Sequence, residues 1–275
     1  MLNKTESENL HKMGIEQLGF STSGLTILGG RPAMGKTAFM LSLALDMAVD
    51  GTPVAVFSLE LSEKQLINRM LCNICSLPLN EIGMYPDKLS DSECAQISEA
   101  VKKLQELPLF IDDTPILSVT EFRAKAEQMV REHGVEMIAI DYLQLMSDGG
   151  SSTPQDSDIN KITHALKKLA NDLDIAVIGL LQLRRVPEED KGKIESPGLS
   201  DIREIGPIEQ DADVICLIHS PEYYICNYIE NDGNDIKDKA ELIYAKSPKG
   251  TSIIEMRFRP EHIRFETLDR NNEYE

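Results

Sequence analysis

The stretch Gly30-Arg31-Pro32-Ala33-Met34-Gly35-Lys36-Thr37 decides the fold of this chain. A glycine, four further residues and then Gly-Lys-Thr form the full pattern of a phosphate-binding loop. The glycines allow backbone N–H groups to close around a phosphate, and a helix that begins at the lysine also favours the anion. Such a loop needs a strand before it and a helix after it. The apolar run Leu25 to Leu28 and the Ala-, Leu- and Met-rich run Lys36 to Val49 meet both needs.

Strands and helices continue to alternate after this loop. The predicted strands are Val54 to Ser58, Leu109 to Ile111, Met137 to Asp141 and Ile175 to Leu181, and the predicted helices are Ser62 to Ile74, Ser90 to Leu104, Ser118 to His133 and residues 159 to 173. After Gly206 four strands follow without helices: Val214 to Ile218, Ala240 to Tyr244, Ile253 to Phe258 and Ile263 to Glu266. The order predicts an α/β fold with a mostly parallel sheet, helices on both faces and an antiparallel extension at one edge.

The composition fits one folded domain. Hydrophobic residues make up 41% of the chain and charged residues 27%, which is an ordinary globular balance. We expect an N-terminal entry segment (residues 1–23), one domain (24–268) and a C-terminal tail (269–275). The five cysteines are an odd number. The start of the chain is polar, and no apolar run is long enough to span a bilayer, so we expect a cytoplasmic protein without a membrane segment.

The net charge of −18 argues mildly against nucleic acid as a partner. Proteins that follow a nucleic-acid backbone usually carry a basic stripe, because phosphate neutralisation supplies much of the affinity. A local basic rim inside a ring remains compatible with this charge.

The loop motif and one later acid predict an ATP·Mg²⁺ site. The cofactor-binding residues are Gly30, Arg31, Pro32, Ala33, Met34, Gly35, Lys36, Thr37 and Ala38. Lys36 is expected to reach the β- and γ-phosphates, and the Thr37 hydroxyl to bind Mg²⁺. Asp141 ends an apolar strand, and we expect it to hold the Mg²⁺ shell.

Two further polar residues follow predicted strands near this site. Glu60 can position the attacking water, or it can be a helix N-terminal acid favoured by the helix dipole, since Ser62 caps the next helix. Gln182 can sense the γ-phosphate, or it can be a solvated strand end. Position alone leaves both alternatives open.

Other candidate groups carry weaker signals. Lys246 and Lys249 lie on a loop tip, where lysines are usually solvated, and they matter only if a neighbouring subunit places its ATP there. The pair Cys72 and Cys75 falls inside a predicted helix without a second pair at zinc spacing, so ordinary burial is expected.

Four ordered stretches resemble the C-terminal motor domain of DnaB-like replicative helicases. They are the phosphate loop with Ala38-Phe39, Phe57-Ser58-Leu59-Glu60-Leu61-Ser62, Ile140-Asp141-Tyr142-Leu143-Gln144-Leu145-Met146, and Leu199 to Asp213. The resemblance, from about Leu25 to Glu266, implies a RecA-like core in a hexameric ring with ATP between subunits. It implies catalytic roles for Lys36, Glu60 and Gln182. It also implies that Arg203, Glu204 and Gly206 face a central channel and hold single-stranded DNA.

The sequence departs from the family pattern in four places. In the family a separate N-terminal helical domain precedes the motor and helps to dimerise subunits and dock primase; we expect either that these residues are part of a longer chain or that the protein works without that domain. Pro248 stands where the family has an arginine finger, so Lys249 would have to substitute for it as a point charge. The loop Ser147 to Ser157 is acidic rather than basic, and His164 stands where an arginine is frequent. The first two departures leave ring stability and trans activation open, and the last two predict weaker DNA binding.

These features lead to one main hypothesis and two alternatives. The main one is an ATP-dependent helicase or translocase that acts on single-stranded DNA in replication as a hexamer, with primase or a helicase loader as further partners. The first alternative is an ATP-binding regulatory or assembly module with weak hydrolysis and little DNA traction. The second is a recombinase-like filament, which would form open helical assemblies instead of closed rings.

Overall fold

The structure, a computed structural model, describes residues 18–83, 89–148, 158–185, 196–221 and 238–267. The strands in these ranges are β1 (Gly24–Gly30), β2 (Val54–Ser58), β3 (Leu109–Asp112), β4 (Met137–Asp141), β5 (Ala176–Gln182), β6 (Val214–His219), β7 (Lys239–Lys246), β8 (Ser252–Arg259) and β9 (Arg264–Thr267). They form one sheet in the order β3-β2-β4-β5-β1-β6-β7-β8-β9.

The helices of the described residues surround this sheet. They are α1 (Lys36–Val49), α2 (Glu63–Cys75), α3 (Leu79–Gly83), α4 (Asp91–Glu106), α5 (Val119–His133), α6 (Ile159–Leu173) and α7 (Leu199–Arg203). Short 3-10 turns cover Leu143–Leu145 and Ile208–Gln210. Capping boxes at Ser62, Ser90 and Ser118 open α2, α4 and α5. The five-residue helices α3 and α7 were not predicted, because they are too short to show helical periodicity.

The predicted mixed sheet is confirmed. Strands β1 to β6 are parallel where they pair, whereas β7, β8 and β9 add antiparallel neighbours at one edge. Parallel neighbours need long crossovers, which the helices supply, and antiparallel neighbours need only short turns. The β7–β8 turn closes at Gly250, whose φ of 90° favours glycine.

Alternate residues of the central strands face opposite layers of helices. Leu28 packs in the cluster that contains residues of α1 and α2, whereas Leu25 and Ile27 pack in the cluster that contains residues of α5 and α6. This alternation follows from the two-residue period of a strand. Leu18 and Phe20, at the end of the expected entry segment, are buried in the first cluster.

The topology separates two ends of the sheet. The carboxyl ends of the parallel strands lie together, and the phosphate loop follows one of them. Lys246, at the end of β7, pairs with Ile215 near the start of β6, so the β7–β8 turn lies at the opposite end. No helix among the described residues is long and apolar enough to cross a membrane.

Candidate functional site

The phosphate loop joins β1 to α1 as the sequence predicts. Ala33 has a φ of 65° and Gly35 a φ of 82°, both in the left-handed region. A side chain at Gly35 would place its Cβ 2.9 Å from the Phe265 ring. No side chain caps the start of α1, in contrast to α2, α4 and α5. The N–H groups of its first turn are therefore available to phosphate oxygens.

The Lys36 ammonium folds back onto this loop. Its Nζ donates to the carbonyl oxygens of Gly30 at 2.9 Å and Arg31 at 3.0 Å, and the residue is 3% exposed. Burial lowers the pKa of Lys36 to about 8, although the charges of Asp141 and Glu60 oppose this shift. A phosphate at the start of α1 would offer the ammonium stronger acceptors than these two carbonyls.

Thr37 and Asp141 meet beneath the loop. The Thr37 hydroxyl donates to Asp141 Oδ2 at 2.8 Å, and the Tyr142 hydroxyl lies 3.2 Å from the same Thr37 oxygen. The other carboxylate oxygen of Asp141 is buried and has no hydrogen-bond partner among the described residues. Oxygens of this kind are the ligands that Mg²⁺ prefers, so Thr37 and Asp141 would fit a Mg²⁺ ion.

Burial also governs the charge of Asp141. Burial, with a smaller contribution from the nearby Glu60 charge, raises the pKa of Asp141 to about 7 against the hydrogen bond from Thr37. A divalent cation would reverse this shift, because it favours the carboxylate form. The ionised form of Asp141 is thus unfavourable in the folded protein unless a cation binds beside it.

A cleft of about 440 Å³ lies beside the loop and holds both remaining catalytic candidates. Glu60, Gln182 and Pro32 line it together with Gln144. Gln144 Nε2 donates to the Gln182 carbonyl at 2.7 Å, and the Gln182 N–H donates to Gln144 Oε1 at 3.2 Å. The structure therefore brings Glu60 and Gln182 together, as expected of residues that follow parallel strands.

Gln144 and Tyr142 were not predicted as site residues. Both belong to the stretch that follows Asp141, and each contacts an assigned residue. The sequence signal that could have identified them is their position directly after Asp141, the acid that ends β4. Contacts across 38 residues of sequence, as between Gln144 and Gln182, cannot be read from spacing.

The ionisation of Asp141 predicts a pH-dependent stability difference. Between pH 3.8 and about 7 the folded carboxyl binds a proton more readily than the unfolded one, so its contribution to stability is lost as pH rises through 7. Asp141→Asn should therefore raise the melting temperature at pH 8 by at least about 2 °C. The difference from the wild type should shrink as pH falls toward 4. Calorimetry without Mg²⁺ checks this, and a constant difference across this range would contradict it.

The candidate DNA residues lie at the end of α7 and directly after it. Arg203 binds the Glu209 carboxylate through two hydrogen bonds of 2.8 and 3.2 Å, and Glu204 lies 3.8 Å from Arg184. Gly206 has a φ of 157°, and a Cβ there would lie 2.7 Å from Asn160 Oδ1. Arg203, Gly206 and Lys246 line a second cavity of about 580 Å³. Arg203 is therefore already paired and must exchange Glu209 for a phosphate to bind DNA through its charge.

The two trans candidates differ in their surroundings. Lys246 Nζ donates to the carbonyls of Glu209 at 2.7 Å and Ala212 at 2.6 Å. Lys249 is exposed on the β7–β8 turn. Since this turn lies at the opposite end of the sheet from the phosphate loop, neither lysine reaches the nucleotide site of its own subunit.

Residues 149–157 of the expected acidic loop lie outside the described residues. The side chain of Asp148, in the same loop, is 2% exposed and lies 3.3 Å from Lys161 Nζ. Exposed His164 lies 3.2 Å from Asp211. Cys72 and Cys75 are both buried, as predicted.

Comparisons with known proteins agree with this geometry. Residues 5–267 match the family described as DnaB-like helicase C terminal domain. The replicative DNA helicase DnaB of Geobacillus stearothermophilus is 37% identical over 255 residues, which cover 92% of this chain and 54% of the relative. The replicative DNA helicase DnaC of Bacillus subtilis (strain 168) is 36% identical with the same coverage. The chain thus spans about half the length of these curated relatives.

Solved structures share the fold. One of them, described as an ATPase domain, has a TM-score of 0.80 at 29% identity, covering 97% of this chain and 95% of that chain. A DnaB-like replicative helicase, described with its interactions with primase, has a TM-score of 0.80 at 28% identity, covering 96% of this chain and 64% of that chain. The mixed sheet is therefore a RecA-like core, and the chain belongs to the DnaB-like helicase C-terminal domain family.

Proposed function

We propose that this chain is the motor of an ATP-dependent DNA helicase or translocase that acts on single-stranded DNA as a hexameric ring in replication. The observation that carries the proposal is the convergence of Glu60 and Gln182 in one cleft beside the buried Lys36, Thr37 and Asp141. Phosphoryl transfer depends on positioning and charge stabilisation, and this arrangement offers both. The match to relatives named replicative helicases favours the motor over the regulatory module and the filament.

ATP hydrolysis follows from the placement of these groups. The backbone of residues 30–38 and the start of α1 hold the phosphates. The Lys36 ammonium turns from the carbonyls of Gly30 and Arg31 toward the β- and γ-oxygens. Thr37 and Asp141 would hold Mg²⁺, which neutralises charge on the phosphates. Glu60 orients the attacking water and accepts its proton. Gln144 holds the backbone of Gln182, and the Gln182 side-chain amide senses the γ-phosphate.

DNA contact is assigned to the segment that carries Arg203, Glu204 and Gly206. A Cβ at Gly206 would lie only 2.7 Å from Asn160 Oδ1, so a larger residue there would disturb the backbone that is proposed to face the strand. Contacts of this kind to the DNA backbone suit a motor that must move along any sequence. The pair of Arg203 with Glu209 and the net charge of −18 both lower the expected affinity.

The proposed partners are single-stranded DNA, further copies of the chain, and primase or a helicase loader. One structural neighbour is described with its interactions with primase. The curated relatives are nearly twice as long as the matched region, so primase docking and ring formation are proposals for the protein that contains this domain. We retain cytoplasmic localisation as a sequence-based prediction.

Strand displacement on a forked duplex tests the proposed function. The mass of the protein with a bound ATP analogue first establishes whether a hexamer forms. A hexamer that unwinds DNA with ATP, loses this activity in Lys36→Ala and loses affinity steeply with salt supports the motor. A stable hexamer that hydrolyses ATP slowly, regardless of DNA, and unwinds nothing would favour the regulatory module.

Lys249 is proposed as the trans cation, and its substitution gives a second prediction. Lys249→Ala should lower the hexamer's ATPase rate by at least about tenfold, less than the loss of an arginine finger, because lysine lacks the guanidinium fork. Lys239→Ala is the matched control, since Lys239 is an exposed lysine at the other end of β7.

Mixed hexamers separate a trans role from a local one. A Lys249→Ala subunit keeps an intact phosphate loop, and a Lys36→Ala subunit keeps an intact β7–β8 turn. In a mixed hexamer some interfaces therefore join an intact loop to an intact turn, and part of the ATPase activity should return. Unchanged activity in Lys249→Ala alone, or no recovery in hexamers shown to be mixed, contradicts the trans assignment.

A further inference from the structure

Helix α7 is attached to the phosphate loop at two points. The Arg31 guanidinium lies 3.6 Å from Asp201 Oδ1. The neighbouring Ile202 is fully buried, and its Cδ1 would lie 3.3 Å from a Cβ at Gly29, in the strand that leads into the loop. One ion pair and the close approach of Ile202 to Gly29 therefore link α7 to the residues on either side of Gly30.

The Arg31–Asp201 pair is largely removed from solvent. The side chain of Arg31 is 10% exposed and that of Asp201 is 30% exposed. An ion pair in such surroundings is screened less than a surface pair, and removal of one partner leaves the other charge poorly compensated. Arg31 also faces the end of β6, because its charge, after burial, contributes to lowering the pKa of His219 to about 4. His219 is therefore neutral near pH 7.

Both ends of this connection reach functional groups. The Arg31 carbonyl accepts a hydrogen bond from Lys36 Nζ, a bond that must break when the ammonium turns to phosphate. Asp201 lies two residues before Arg203, in the helix that leads into the DNA-contact segment. A short path of contacts therefore runs from the phosphate-binding lysine to α7 within one subunit.

We propose that Asp201 is a positioning residue that couples the nucleotide site to the DNA-contact segment of the same subunit through Arg31. The inference rests on the proposed function, because it assumes that Arg203, Glu204 and Gly206 contact DNA. ATP binding withdraws Lys36 from the Arg31 carbonyl, Arg31 shifts, and Asp201 carries α7 with it. DNA affinity thus depends on the bound nucleotide, and ATP affinity depends on DNA by the same factor.

Asp201→Asn is the informative variant. Asp201 Oδ2 also accepts a hydrogen bond from the Gly198 N–H at 2.8 Å, and asparagine can preserve this contact while it removes the charge. Asp201→Glu keeps the charge and serves as the conservative variant. Asp211→Asn is the matched control, because Asp211 lies in the same segment but binds Thr163 and His164 of α6.

The experiment measures the dissociation constant of the hexamer for labelled single-stranded DNA with an ATP analogue and with ADP. Couplings between sites typically change affinity about 5- to 150-fold. We expect a ratio in this range for the wild type, Asp201→Glu and Asp211→Asn. In Asp201→Asn the ratio should fall to within about twofold of one, while DNA-independent ATPase activity stays near the wild-type rate.

Each outcome decides between the inferences. A wild-type ratio in Asp201→Asn overturns the coupling and leaves the proposed function intact. An equal loss in Asp211→Asn also overturns it, since any disturbance of the segment would then suffice. If Asp201→Asn melts several degrees lower, Asp201→Glu decides: a retained ratio supports the coupling and a lost ratio overturns it. A wild-type hexamer that binds no single-stranded DNA overturns the proposed function and the coupling with it.

Discussion

Replacement of Lys36 by alanine is expected to lower the ATP hydrolysis rate by about 10²–10³-fold. The Lys36 ammonium is buried and already directed at oxygen acceptors, the carbonyls of Gly30 and Arg31. In the transition state it would compensate charge that develops on the γ-phosphate, in surroundings that water screens poorly. Steady-state phosphate release with and without DNA measures the effect, and strand displacement should be lost as well.

The folded state should tolerate this change. Burial depresses the pKa of Lys36 to about 8, so the ammonium is held in the folded protein at an electrostatic cost. Lys36→Ala removes this cost below pH 8 but leaves the Gly30 and Arg31 carbonyls without their donor, so its melting temperature should stay within about 5 °C of the wild type. Lys64→Ala, at an exposed position in the first turn of α2, is the matched control and should keep the wild-type rate. Hydrolysis by Lys36→Ala at the wild-type rate would place catalysis outside the proposed site.

The sheet and the nucleotide loop could be predicted because their signals are local. The bounds of α1, β4 and α6 agree with the sequence patterns, and three serine capping boxes open helices where expected. Each of these signals involves residues within a few positions of one another. Asp141 could be placed beside Thr37 for a topological reason, since parallel strands present their carboxyl ends together.

The contacts that connect the sites could not be predicted. Arg31 with Asp201 and Lys246 with the Glu209 carbonyl join residues far apart in sequence. The pairing of Arg203 with Glu209 is closer in sequence, yet it depends on the fold of the segment after α7. The acidic residue Asp148 belongs to an expected acidic loop, yet its side chain is buried beside Lys161. The charges along the sequence predicted an acidic loop, but they did not show which charged side chains form ion pairs.

The Glu60→Gln variant should separate ATP binding from hydrolysis. Glutamine keeps the shape of the side chain but cannot accept a proton from water, so hydrolysis should fall by about 10²–10⁴-fold. ATP affinity should change little, because Glu60 lies in the cleft beside the loop and not in the loop itself. Single-turnover hydrolysis and equilibrium binding of labelled ATP measure the two quantities separately. The variant is expected to remain in the ATP-bound state.

The same variant decides between the two interpretations of Glu60. If the acid served only the dipole of α2, its loss would cost about 0.3–1 kcal/mol of stability and leave catalysis intact. That role is weakly motivated, because the capping box of Ser62 and Gln65 and the first-turn acid Glu63 already serve this helix end. Glu63→Gln is therefore the matched control: it should lower the melting temperature slightly and keep the wild-type hydrolysis rate. A Glu60→Gln protein that behaves like Glu63→Gln would remove Glu60 from the catalytic site and leave the attacking water to another group in the cleft.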